Sequence, residues 1–200
     1  MIRDCHTHNP DACEAVINVA PGFDAPQEGK LYSAGIHPWN AAETTQDDFN
    51  SLARMAREPW IAAIGEAGLD KLRGASLSTQ SEIFERQALL ADEVGKPLII
   101  HCVRCWSELL AIMKRLRPKS PWIIHGFRGK PELAKQLLEA GCYISLPPKH
   151  NSATAAIIPA DRLLWETDDD TTVPSTSLPI TDASRKLFGG EETDAGGTAH

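Results

Sequence analysis

The sequence predicts a (β/α)8, TIM-like barrel with missing early helices and a stunted C-terminal helix. Three observations lead there. Eight short apolar runs, each suited to a buried strand, recur along the first 170 residues. Helical patterns separate most of them from the third run onward. Histidines or carboxylates stand at the ends of several runs, where a parallel barrel gathers its chemistry.

Residues 2–5 form the first run and lead into His6 and His8. Residues 15–19 and 31–35 are the second and third strands, with no helix expected among the first three. Thr44 or Thr45 caps a helix over 47–57, with Phe49, Leu52, Ala53 and Ala56 on one face, and Pro59 closes it. Residues 60–65 are the fourth strand, followed by Glu66. Ser78 is expected to cap a long helix to Val94, which Gly95 and Pro97 stop. Residues 97–101 are almost wholly apolar, as in a strand buried on both faces. Trp106, Leu109, Leu110, Met113 and Leu116 make a core-facing helical stripe ended by Pro118. Residues 122–125 are the sixth strand, and Pro131 suits the first turn of a helix ending at Gly141. Residues 143–146 are the seventh strand, 153–158 one or two helical turns, and 163–167 the eighth strand, before Asp168. The expected organisation is a barrel over 1–170 and a polar segment over 171–200 that completes or trails it. Within that segment 180–188 forms a short helix and 189–200 is disordered.

A chain of 200 residues with 42% hydrophobic content builds one good core and is short for two. A (β/α)8 barrel usually takes roughly 250 residues, so this one is trimmed. The net charge of −7 and the lack of any Lys/Arg run argue against wide electrostatic capture of a nucleic-acid backbone. A small substrate, or only the end of a polynucleotide, fits better. The N-terminus has no apolar signal region, and no run approaches membrane-spanning length. The five cysteines suit reduced thiols, so a cytoplasmic protein without a membrane partner is expected. Cys102 and Cys105 lack the second pair that a zinc ribbon needs.

Four imidazoles (His6, His8, His101, His125) and two carboxylates (Glu66, Asp168) thus fall at strand ends. A lone histidine in such a place is more often a satisfied core residue. Glu66 alone reads as a loop acid, but a buried unpaired charge asks for a cation. Asp168, Asp169 and Asp170 repel one another unless a cation is near or two face water. Converging in a barrel, the six could hold a pair of divalent metals.

Several stretches carry a resemblance: Asp4-Cys5-His6-Thr7-His8, Gly35-Ile36-His37-Pro38, the segment from Ala63 to Asp70, Pro97 to Arg104, Ile124-His125-Gly126-Phe127 and Leu164-Trp165-Glu166-Thr167-Asp168. In order and content they resemble the TatD family of metal-dependent hydrolases, within the amidohydrolase-like barrel superfamily, over roughly residues 1–170. The resemblance implies two divalent ions (Mg, Mn or Zn): one on His6, His8 and Asp168, the other on His101 and His125, with Glu66 bridging. Such ions lie roughly 3.5–4 Å apart and share a nucleophilic hydroxide. It further implies a phosphodiester substrate, often a DNA end. Glu66 and Asp168 would be catalytic, with Asp168 orienting the water or taking its proton. Arg104 would clamp a phosphate through its two-pronged guanidinium, and His37 would line the same pocket.

The chain departs from the family in four places. Residues 9–14 leave no room for a first helix. Trp39 stands where many members carry a histidine. Asp169 and Asp170 replace a small residue and a proline, and a short polar tail replaces the final helices. The resulting expectation is a two-metal phosphodiesterase, a DNA exonuclease. The alternatives are a two-metal amidohydrolase of a small amide, lactone or ester, and a metal-binding remnant without turnover. An intact ligand set speaks against the remnant.

Overall fold

The computed structural model describes residues 1–189. Eight parallel strands lie side by side in chain order. They are β1 Asp4–Thr7, β2 Ala15–Val19, β3 Leu31–Ala34, β4 Ile61–Asp70, β5 Leu98–Val103, β6 Trp122–Ile124, β7 Tyr143–Leu146 and β8 Leu163–Trp165. The barrel closes between β8 and β1 through the single bridge Thr7–Asp168. Two backbone bonds flank it, His8 N–H to the Asp168 carbonyl (3.1 Å) and Asp168 N–H to the His6 carbonyl (3.0 Å). The helices are α1 Gln46–Met55, α2 Leu77–Val94, α3 Trp106–Leu116, α4 Pro131–Glu139, α5 Ser152–Ala155 and α6 Asp182–Phe188. As the short loops of the sequence imply, no helix separates β1, β2 and β3 among the described residues.

Alternation along the strands divides the core into two layers. Leu98 and Ile100 of β5, with Trp122 and Ile124 of β6, join the layer beneath the helices, where the Phe84 and Trp122 ring centroids lie 5.3 Å apart. Ile99, Ile123 and Leu164 belong to a separate cluster within the barrel, which Ala183 and Phe188 of α6 join. The same period carries His101, His125 and Glu166, two residues further on, to the inner side at the C-terminal mouth.

Several expected boundaries move. β1 begins at Asp4 and contains His6, so this ligand candidate sits within the strand. β4 continues through Glu66 to Asp70, because Gly68, Leu69 and Asp70 keep pairing with His101, Cys102 and Val103 of β5. Gly68 makes this possible: a Cβ there would stand 1.9 Å from the His101 carbonyl oxygen. Ser76, not Ser78, caps α2 by accepting from Thr79 N–H (3.2 Å). Thr45 caps α1 with Asp48 in a reciprocal box. β8 stops at Trp165, two residues early. The tail expected to be disordered lies, beyond Gly189, outside the described residues.

Candidate metal centre

Glu66 is the hub of the mouth. It is 3% exposed, and its Oε1 lies 2.8 Å from His101 Nδ1, 2.8 Å from His125 Nε2 and 3.1 Å from His37 Nε2. Its Oε2 lies 3.4 Å from Nε2 of both His6 and His8. Asp168 Oδ1 is 3.8 Å from the same two imidazole nitrogens. All six residues singled out as potential ligands therefore share one neighbourhood, and His37 joins them. Four groupings could each surround a cation: His6, His8 and Asp168; His6, Glu66 and His125; His37, Glu66 and His101; and His125, Glu166 and Asp168.

Two observations fit a cation. Both ring nitrogens of His6 are buried without a hydrogen-bond partner, as are His125 Nδ1 and Glu166 Oε2. Buried polar atoms rarely stay unsatisfied, and imidazole with carboxylate is a donor set that Zn, Mn and related ions take. The charges agree. Burial resists ionisation of Glu66, but the adjacent His125 and hydrogen bonds from His101, His125 and His37 outweigh it and hold the carboxyl far below its ordinary range. Burial likewise opposes charge on His125, yet Glu66 and Glu166 together push its affinity for a proton well up. Protonated imidazoles or a bound cation could each supply the positive charge beside these carboxylates.

A second tier of residues holds the first, and sequence patterning alone gives it no role. Glu166, fully buried, accepts from Gly126 N–H (2.6 Å) and lies 3.4 Å from His125 Nδ1. Asp70 Oδ2 lies 3.3 Å from His101 Nε2 and accepts from Trp39 Nε1 (2.7 Å). The Trp39 indole thus braces a ligand candidate's partner. Asn18 Oδ1 accepts from the Glu66 backbone N–H (2.9 Å). Gln87 pairs both its amide ends with the backbone of Ile36, beside His37. Asp4 accepts from Thr167 Oγ1 (2.7 Å) and Ser175 Oγ (2.6 Å), tying β1 to the segment after β8. Glu166 and Asp70 stand inside the family-like motifs, and that membership is their only visible signal in the sequence.

A cavity of about 810 Å3 opens beside the cluster toward Trp39, Glu43 and Asp48. His37, His101, Asp168 and Asp169 line it. Arg104 does not. It follows β5 with φ at 56°, is exposed, and forms no ion pair among the described residues. All five cysteines are free. No described helix is long and apolar enough to cross a membrane.

The model of the TatD-related DNase family matches residues 8–181. An exonuclease named for 3'-5' action on single-stranded DNA and RNA, TatD from Pantoea ananatis, is 33% identical over 166 residues, covering 78% of this chain and 64% of its own length. TatD from Cronobacter sakazakii is 31% identical over 170 residues, with 80% and 65% covered. The chain thus spans somewhat less than two thirds of these relatives. Among solved structures, a TatD homologue from Escherichia coli superimposes with a TM-score of 0.69 at 20% identity, covering 92% of this chain and 85% of the other, which speaks for the fold. A TatD-family hydrolase from Entamoeba histolytica gives 0.59 at 25% identity, with 70% and 50% covered. With its strand order, its motifs and a family match over most of its length in agreement, the chain belongs to the TatD-related DNase family.

Proposed function

We propose that this chain hydrolyses phosphodiester bonds at the ends of nucleic acids, using divalent cations held at the barrel mouth. The observation that carries this reading is the contact of five imidazoles with the one carboxylate of Glu66. His6, His8 and Asp168 would hold one ion. His101 and His125 would hold the second, with His37 as a further ligand or substrate contact, and Glu66 would serve both. When bound, such ions supply Lewis acidity and an activated water. The chain's own residues do the rest. Asp168, 24% exposed at its side chain and facing the cavity, is placed to orient a water and accept its proton. Glu166 and Asp70 orient His125 and His101. The exonuclease names of the relatives support a nucleic-acid substrate over a carboxylic one.

Two measurements test this. Purified protein should carry about two equivalents of Mg, Mn, Zn or a similar ion, and Glu66→Ala should lower that content. Metal content unaffected by the substitution rejects the bridging role. On a panel of single-stranded DNA ends, nitrophenyl phosphodiesters and simple esters, turnover should appear on the phosphodiesters. Turnover confined to esters would favour an amidohydrolase, and metal binding without any turnover would favour a remnant.

A further inference from the structure

The loops at the barrel mouth are sorted by charge. Those following β4, β5, β6 and β7 carry Lys71, Arg73, Arg104, Arg128, Lys130 and Lys149, all exposed, and no Asp or Glu. On the other side the acids at the mouth are Glu43 and Asp48, which line the cavity, and those at 166 and 168–170 after β8, whereas the connections from β1 to β2 and from β2 to β3 run on to the opposite end of the barrel, where Glu14 and Glu28 lie beside Met1 and Ile2. Because the strands are neighbours in chain order, the basic set forms one continuous arc. In a chain of net charge −7, these four loops are therefore cationic, and Glu108 and Glu132, in the first turns of α3 and α4, are the acids beside them. These cations are little engaged elsewhere. Lys71 reaches Glu108 at 4.0 Å. Arg73, Arg104, Arg128 and Lys130 form no ion pair among the described residues. Arg128 Nε donates to the Lys149 carbonyl (3.2 Å), which joins the β6 and β7 loops.

Where the basic arc meets the cavity, Trp39 is 41% exposed, with the Arg73 guanidinium 3.7 Å from its ring centre and the His37 ring 4.6 Å away. No Lys or Arg lines the cavity itself, whose wall includes Glu43, Asp48 and Asp169. A run of phosphates is repelled there, whereas an uncharged base or sugar is not.

We infer that the arc of loops after β4–β7 is the track for the sugar-phosphate backbone of a single-stranded nucleic acid, with Trp39 as a stacking surface for an unpaired base and the acidic cavity receiving the terminal nucleoside. This rests on the proposed nucleic-acid substrate and adds the direction from which the strand arrives. A single strand fits because stacking needs a base free of its partner. Arg104, outside the cavity lining, takes a place on this track instead of at the scissile phosphate.

The test is the binding of a fluorescein-labelled oligothymidylate to the full-length protein, read by anisotropy across a salt series without reference to turnover. Arg128→Ala with Lys149→Ala should weaken binding about tenfold or more and flatten the slope of log affinity against log salt by about 0.7 for each phosphate no longer neutralised. Arg104→Gln with Lys130→Gln, which leaves the Arg128 bond in place, should do the same. Asp24→Asn with Glu28→Gln, in the connection from β2 to β3, should not weaken binding. Wild-type binding with a slope unmoved by both basic pairs rejects the track and leaves the nuclease reading standing. Equal losses from the acidic pair also reject it. No binding by the wild type overturns both.

Discussion

The two halves of this barrel are built differently. From β4 to β8 each strand is followed by a helix, and the sheet is held by apolar packing such as Phe84 on Trp122. From β1 to β3 the outer layer is almost bare, and α1 is its only α-helix. In that half, apolar packing such as Phe23 on Tyr32 is joined by polar ties: buried Asp4 to Thr167 and Ser175, and half-buried Asn18 to both Ser33 Oγ (3.1 Å) and the backbone of Glu66. Both halves nevertheless deliver ligand candidates to one point, His6 and His8 from the bare side, Glu66, His101 and His125 from the clad side. A site built on strand ends depends on how the strands pair and only indirectly on what covers them.

Three substitutions and one labelling experiment probe that contrast. Phe84→Ala, in the clad half, should cost roughly 3–5 kcal/mol in denaturant unfolding while leaving metal affinity in the folded protein unchanged. Altered affinity would mean that the outer layer does shape the site. Asp4→Ala, in the bare half, should cost about 3 kcal/mol by stranding buried donors, and should weaken metal binding as well, because it loosens the strand that carries His6. Stability lost without affinity would make this network purely structural. Glu166→Gln should reduce metal affinity about 10- to 100-fold, read by calorimetric titration, with a smaller loss of stability. The smallest effect concerns the thiols. Burial pushes Cys142 up to about 12, so it stays protonated at neutral pH, while Cys13 in the bare half is exposed. A thiol reagent should label Cys13 quickly and Cys142 only on unfolding. Rapid labelling of Cys142 would show that the clad half opens as readily as the bare one.

Much of this architecture is legible because a barrel strand announces itself as an apolar run. β2 and β7 fall on the residues anticipated for them. The sequence misleads where strands become polar. Its pattern ends β4 at Gly65, yet the strand continues because hydrogen bonding to β5 does not depend on the character of Glu66 or Asp70. Ser78 is the natural helix start by pattern, but the hydroxyl that reaches a free backbone N–H belongs to Ser76. The ligand candidates are legible as a set because His and Glu after buried runs are conspicuous. Asn18, Gln87 and Asp4 are not, since a polar residue in a strand or helix looks the same whether it faces water or a buried amide. The basic arc is invisible for another reason. Its cations lie far apart along the chain, and only the circular order of the strands collects them.

The seam between first and last strand is one bridge wide, and it runs through the candidate centre, with His6 and His8 on one lip and Asp168 on the other. A cation gripped by all three would act as a clasp on the cylinder. Chelation would then unfasten the protein's ends as well as silence its chemistry, so that loading with metal and completing the fold become a single event.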